Sequence, residues 1–282
     1  MSIFSVLAKS FRRSADAARP EPEPEPAQQA APVIACPVCH AAAPYLDSVD
    51  FNKSCEDHRQ ARQPASGMLV RYYLCDRCGF CFAPEFASWS FEDFEKRIYN
   101  DQYESVDPDY KAIRPLNNAA LLQQLFGSAK IRHLDYGGGS GLLSDTLRKS
   151  GWDSRSYDPF VDRQTRPEEL GTYDLVTAFE VFEHVPDVQA LFADLEKLVK
   201  PDALILFSTL LSDGSIKRDQ ALSWWYAAPR NGHISLFSMA SLGVCLQQRG
   251  FNFSSCSAVL HVAFRQAPDW ASHLFPKPPT PA

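Results

Sequence analysis

Two short cysteine pairs, Cys36-Pro37-Val38-Cys39 and Cys75-Asp76-Arg77-Cys78, have the spacing that turns two thiolates toward one ion. Together they can complete a tetrahedral zinc site, although the 35 residues between Cys39 and Cys75 exceed the usual gap. His40 and Cys81 stand by as substitute ligands. A second chemistry begins at His133-Leu134-Asp135-Tyr136-Gly137-Gly138-Gly139-Ser140-Gly141. Glycines at 137, 139 and 141 remove side chains where the backbone must turn sharply and approach a ligand. The helical pattern that follows supplies free N–H groups and the positive end of a dipole, so the turn is a cradle for a nucleotide-like ligand. Dinucleotide-binding enzymes use a similar turn, which keeps an NAD-dependent enzyme as the alternative. Asp158 can accept both hydroxyl protons of a ribose; otherwise it is a turn acid before Pro159. Glu180, Glu183 and His184 follow a third strand, and His184 has the intrinsic pKa of a base near neutral pH, or else fixes the entry to a helix.

A further segment, Trp224-Trp225-Tyr226-Ala227-Ala228-Pro229-Arg230-Asn231-Gly232-His233, carries three adjacent aromatics that cannot all face one core. Trp225 and Tyr226 are expected to shape an acceptor pocket, with Arg230 or His233 engaging a carboxylate, phosphate or hydroxyl. His233 is the second candidate base. A packed lid without direct chemistry is the plainer reading of the same segment.

The elements needed to position these groups are legible in the patterning. Residues Ser90–Tyr103 and Pro115–Phe126 read as helices leading into the glycine turn. Helix Leu142–Ser150, strand Asp153–Tyr157, strand Tyr173–Phe179, helix Val188–Val199, strand Leu204–Ser208 and helix Met239–Arg249 then follow, with strands near Phe251–Ser254 and Ala258–Phe264. Such alternation predicts an α/β fold: a doubly wound, mainly parallel sheet covered on both faces. In such sheets a ligand binds beyond the carboxyl ends of the strands at the switch point, so Asp135, Asp158 and the Glu180–His184 loop belong to one site. The expected organisation is a basic segment and Pro/Glu spacer over 1–33, a zinc module over 34–84, a helical lead-in over 85–130, the main domain over 131–268 and a tail over 269–282. Within the first segment, Ile3, Phe4, Leu7 and Phe11 fall near helical spacing beside Lys9, Arg12 and Arg13, enough for weak docking to a membrane surface or partner. Pro20–Pro26 favours an extended spacer.

With 282 residues, 45% of them hydrophobic, the chain can bury one full core and a small satellite. Its formal charge of −6 argues against bulk nucleic-acid binding. No apolar run reaches the roughly 18–20 residues of a membrane span, and the N-terminus lacks a secretory pattern. A reducing, cytoplasmic setting is therefore expected, in which the eight cysteines are ligands or thiols. Cys55 falls in the loop between the pairs, while Cys245 and Cys256 read as buried thiols.

The stretch Ile131–Phe264 resembles the class I S-adenosylmethionine-dependent methyltransferases. The resemblance rests on Leu134-Asp135-x-Gly-x-Gly-x-Gly, Asp158, Tyr173-Asp174-Leu175-Val176, and Glu180-Val181-Phe182-Glu183-His184-Val185-Pro186-Asp187. It implies a Rossmann-like fold and S-adenosylmethionine as cofactor, with Gly137, Gly139 and Gly141 along its methionine and ribose portions and Asp135 near its amino group. Asp158 would hold the ribose hydroxyls, and Phe179 or Glu180 would sit by the methionine end. The acid that often holds adenine after a third strand is not readable in the short segment Phe160–Thr172. The Glu180-x-x-Glu183-His184 cluster also resembles the divalent-metal-binding loop of ubiquinone-type O-methyltransferases. A zinc ribbon ahead of such a domain resembles the deoxysugar C-methyltransferases, although the further C-terminal domain of that family is not expected here. The implied activity is methyl transfer to a small-molecule, glycan or lipid-intermediate acceptor. A methyltransferase-like docking protein without activity is the non-enzymatic alternative.

Overall fold

A computed structural model describes residues 31–59, 62–127 and 130–275. The basic N-terminal segment, the Pro/Glu spacer and the tail from Pro276 lie outside these residues. The first cysteine pair sits between β1 (Ile34–Ala35) and β2 (Ala42–Ala43), which pair antiparallel. Strands β3 (Tyr45–Asp50), β4 (Leu69–Leu74) and β5 (Cys81–Phe82) form an antiparallel meander that brackets the second pair. Helices α1 (Phe91–Arg97), α2 (Tyr103–Val106) and α3 (Ile113–Phe126) make the lead-in. A Ser90–Asp93 capping box starts α1, satisfying backbone N–H groups that an uncapped helix would leave to water.

The main domain alternates β6 (Arg132–Tyr136), α4 (Leu142–Lys149), β7 (Asp153–Tyr157), β8 (Tyr173–Phe179), α5 (Val188–Leu198) and β9 (Val199–Ser208). After β10 (Ser235–Leu236) come α6 (Met239–Gln247), β11 (Asn252–Ser255) and β12 (Leu260–Phe264). The six-stranded sheet has the order β11-β12-β9-β8-β6-β7. Its β7, β6, β8 and β9 are parallel, and β12 and β11 close one edge antiparallel. Both parallel neighbours of β6 follow it in sequence, so the chain reverses its direction of winding there and opens the switch-point crevice at the end of β6. This is the doubly wound, mainly parallel architecture expected from the patterning. Strand β7 is the sheet edge; the 158–172 segment holds turns and a 3₁₀ turn at Pro167–Glu169, and no strand.

Burial explains why these segments take these forms. Val188, Leu191, Phe192, Leu195 and Leu198 recur at helical spacing and bury one face of α5. Its first turn is capped by Asp187, whose carboxylate accepts from the Ala190 N–H at 3.0 Å. Strand β9 carries Ala203-Leu204-Ile205-Leu206-Phe207, apolar on both faces as a covered parallel strand must be. Cys245 is buried as expected, whereas Cys256 is exposed: it follows the antiparallel edge strand β11, which among the described residues has no strand beyond it. Residues Asp269–Leu274 form a 3₁₀ turn that lays Trp270 edge-on against Phe126. Among the described residues no helix is long and apolar enough to cross a membrane.

The cysteine-bearing segment shares its core and a sheet with the rest. Strand β10, which lies between β9 and α6, pairs antiparallel with β5, Ser235 opposite Phe82 and Leu236 opposite Cys81. Just beyond it Phe237 is fully buried, its ring 4.9 Å from Phe80, 5.9 Å from Phe182 and 6.4 Å from Phe192. Phe182 in turn stacks on Phe207 of β9 at 4.4 Å. From Pro32 on, the described chain is one compact unit. Replacing Phe237 with alanine removes the ring shared by both parts, and is expected to lower unfolding free energy by about 3–5 kcal/mol in urea titrations followed by circular dichroism.

Candidate functional site

The glycine turn is shaped by what surrounds it. Gly137, at φ +73°, and Gly138 both donate N–H bonds to the Tyr157 carbonyl, at 2.8 and 3.3 Å, which pins the turn onto the end of β7. A Cβ at Gly137 would lie 2.5 Å from Val181, and one at Gly138 would lie 2.3 Å from the Ser156 hydroxyl and 2.7 Å from the Asp135 carboxylate. Gly138 was not among the glycines singled out from sequence; the signal for it is closeness to side chains on another strand. Gly139 and Gly141 also have positive φ, and Gly141 precedes the first residue of α4.

Asp135 is buried under this turn and accepts a 2.7 Å bond from the Thr177 hydroxyl. Burial, with a smaller push from the Asp158 charge, raises its pKa from the ordinary 3.8 to about 7. Asp158 lies at the mouth of the turn, its carboxylate accepting from the Gly139 N–H at 2.9 Å and the Phe160 N–H at 2.8 Å. The two acids and the turn thus converge at the carboxyl ends of β6 and β7. They fit a ligand that carries hydroxyls and a positive group: two acceptor-rich carboxylates beside backbone that any larger side chain would obstruct. On the other side of the crevice, Phe179 ends β8 half-buried and Glu180 takes the left-handed region at φ +52°. For a non-glycine residue that conformation is strained. It is held by the Ser208 hydroxyl, which accepts from the Glu180 N–H and donates to its carboxylate, both at 2.9 Å.

Beyond Glu180 the chain builds a second, drier cluster. Glu183 is fully buried, with one oxygen accepting from the Tyr226 hydroxyl and the other without a hydrogen-bond partner. Burial and the Glu180 charge lift its pKa to about 8. His184 is half-buried and His233 buried, their rings 4.8 Å apart. Desolvation pushes His184 down to about 4 and His233 well below its ordinary value, so both are neutral at pH 7. His233 Nδ1 lies 2.9 Å from the Tyr226 carbonyl; a carbonyl can only accept, so the proton sits on Nδ1 and Nε2 keeps its lone pair. His184 Nδ1 lies 3.4 Å from the Tyr99 hydroxyl. Gly232 makes that contact possible, since a Cβ there would sit 3.0 Å from His184 Nδ1 and 3.2 Å from the Tyr99 oxygen. One ligand atom each of Glu183, His184 and His233 fall within 4.8 Å of one another, a spacing a divalent ion can use. Glu180, which the sequence resemblance grouped with Glu183 and His184, is instead engaged with Ser208.

The aromatic segment divides. Trp225 is 40% exposed, whereas Tyr226 is buried against His233 with ring centroids 4.1 Å apart. Arg230 is buried and spends its guanidinium on the Ile98 carbonyl at 2.8 Å and the Asn100 side chain at 3.1 Å, tying the segment to the lead-in after α1. Tyr99 was not foreseen because it reaches the site from the lead-in, and His133 and Thr177 because their partners are set by the register between strands.

The four cysteines come together. Cys36 Sγ lies 3.7 Å from Cys78 Sγ, and Cys39 Sγ 3.4 Å from Cys75 Sγ. Tetrahedral zinc with bonds of about 2.3 Å would set its sulfurs roughly 3.8 Å apart, so the set fits such an ion. The two turns match: each closes an N–H bond to its first cysteine's carbonyl, from His40 at 2.9 Å and Gly79 at 3.0 Å, with both donors in the left-handed region. His40 and Cys81 do not belong to the set.

Comparison with known proteins places the chain in a family. A family model described as a methyltransferase domain matches residues 110–255. A ubiquinone biosynthesis O-methyltransferase of Bordetella avium is 30% identical, over 37% of this chain and 54% of that protein. One from Aliivibrio fischeri is 29% identical, over 43% of this chain and 60% of that protein. The chain thus spans little more than half the length of these curated relatives. Among solved structures, an O-methyltransferase family protein from Burkholderia thailandensis aligns with a TM-score of 0.44 at 15% identity, covering 62% of this chain and 63% of that one. Since the family model covers more than half of its length, the chain belongs to the methyltransferase domain family, within the class I S-adenosylmethionine-dependent methyltransferases.

Proposed function

We propose that this chain binds S-adenosylmethionine across the carboxyl ends of β6, β7 and β8 and methylates a hydroxyl of a small-molecule, glycan or lipid-intermediate acceptor. The observation that carries the reading is the convergence of buried Asp135 and of Asp158, clamped to Gly139, on a turn that tolerates no side chain at Gly137 or Gly138. When bound, the cofactor supplies an electrophilic methyl group on sulfur. Asp158 accepts from the ribose hydroxyls, Asp135 faces the amino group, and Gly137, Gly139 and Gly141 leave room for the methionine and ribose portions, with Phe179 and Glu180 at the methionine end. In-line displacement asks the protein chiefly to position the acceptor and to take its proton. His184 is the group we assign to that proton: it is neutral, and of the two histidines it alone is not fully buried. His233 backs it, and Trp225 with Tyr226 and Arg230 shape the acceptor side, the last two from behind. The names of the curated relatives support oxygen as the methylated atom. Calorimetry is expected to detect S-adenosylmethionine and its demethylated product, and Asp158→Ala to weaken both by about tenfold or more. Absence of binding by the unaltered protein rejects the reading.

The Asp135 pKa makes a separate expectation about stability. Between pH 3.8 and about 7 the folded state holds a proton that the unfolded state has released, so stability falls as pH rises through that window and levels off above it. Asp135→Asn removes that cost. It is expected to be more stable than the unaltered protein at pH 8 by on the order of 2 kcal/mol, with the difference closing toward pH 4, while binding the cofactor poorly. Urea titrations at the two pH values check the sign.

Zinc held by Cys36, Cys39, Cys75 and Cys78 is the structural ion we propose. Its loss would free both cysteine turns and loosen β5 from β10. Elemental analysis of protein purified without chelator is expected to find zinc at about one equivalent, and Cys75→Ser to abolish it and lower the melting temperature by about 10 °C or more.

A further inference from the structure

On one face of the sheet, three neighbouring strands bring polar side chains into a single buried line. Ser154 of β7 lies opposite His133 of β6 in the register, and Thr177 of β8 lies opposite Asp135 of β6. His133 and Asp135 are two residues apart and share a face. The line is continuous: Ser154 Oγ to His133 Nδ1 at 2.8 Å, His133 Nε2 to Thr177 Oγ1 at 2.9 Å, and Thr177 Oγ1 to Asp135 Oδ1 at 2.7 Å. All four residues are buried, His133 and Thr177 completely.

Donor and acceptor counting gives the line a direction. When Asp135 is ionised, the form that receives a cationic group, it only accepts, so Thr177 must give it its one proton. The Thr177 oxygen then accepts from His133, which must carry its proton on Nε2. That leaves Nδ1 as an acceptor, filled by the Ser154 hydroxyl. Burial keeps the imidazole neutral, pushing its pKa down to about 3, so it has one proton to give and one lone pair to offer. Every proton in the line therefore points toward Asp135, and each link polarises the next. The far carboxylate oxygen, Oδ2, is the one beneath Gly138, toward the crevice.

We propose that Ser154, His133 and Thr177 form a one-directional hydrogen-bond relay that positions Asp135 as the carboxylate receiving the amino group of the cofactor's methionine end. This rests on the cofactor reading above. His133 and Thr177 are thus positioning residues that touch no ligand. The function of the line is selective, since it acts on the amino-group end and not on adenine or ribose.

That selectivity supplies the test. Binding of S-adenosylhomocysteine, which keeps the amino group, and of 5′-methylthioadenosine, which lacks it, is measured by calorimetry on the full chain. Thr177→Val and His133→Leu are expected to weaken S-adenosylhomocysteine by about tenfold and to leave 5′-methylthioadenosine within about twofold. Thr177→Ser and His133→Gln, which keep the hydroxyl and the N–H, are expected to stay within about threefold of the unaltered protein for both ligands. Should Val or Leu prevent folding, the Ser and Gln variants still decide, because a loss of S-adenosylhomocysteine binding in them overturns the relay. Unchanged S-adenosylhomocysteine binding in Thr177→Val or His133→Leu, or equal loss of both ligands, overturns it too while leaving the cofactor reading in place. If the unaltered protein binds neither ligand, the cofactor reading falls and the relay with it.

Discussion

A carboxylate taken out of water must be compensated on the spot, and the crevice is organised around that demand at Asp135. It lies at the carboxyl end of β6, where the winding of the sheet reverses, and its lid is a turn that any side chain at Gly138 would push away. Burial alone would favour the neutral acid. The Thr177 hydroxyl opposes that tendency, and Asp158, nearby and also acidic, reinforces it. The two carboxylates thus have different standing: one dry and half-titrated near neutrality, the other held at the mouth by two backbone N–H groups. Such a pair suits a ligand with a cationic end and a hydroxylated end.

The drier half of the site follows the same logic with other residues. Glu183 sits in a pocket closed by Tyr226 and keeps one oxygen without a partner, a cost few proteins retain without use. The imidazoles beside it are neutral, which leaves each with a lone pair. Glu180 stands between the two halves in a strained conformation that Ser208 maintains from the end of β9. The strain aims the loop from β8 so that Glu183 and His184 turn inward.

Much of this was legible from local pattern. The glycine turn, the acids at strand ends and the cysteine pairs announce themselves because each is set by a few consecutive residues. The alternation of strands and helices likewise follows from burial, which leaves its period in the sequence. What could not be read depends on register between distant segments. His133 looks like any strand residue until Ser154 and Thr177 are laid beside it. Tyr99 meets His184 only because the lead-in packs over Gly232, and Arg230 looks like a ligand anchor until Ile98 and Asn100 claim its guanidinium. Cys256 was misread because apolar character does not tell an edge strand from a covered one.

Through the two residues of β10, a segment that follows β9 enters the cysteine-bearing sheet, and this has an architectural consequence. The segment from Thr209 to Phe237, which carries Trp225, Tyr226 and His233, is anchored at its start by the large sheet and at its end by the cysteine-bearing one. The small sheet therefore backs this segment directly, Tyr72 of β4 donating to the His233 carbonyl at 2.7 Å. Cut down to residues 110–255, the stretch that matches the family, the chain would keep the cradle and lose β3, β4 and β5, leaving β10 without a partner strand and Phe237 without the ring of Phe80.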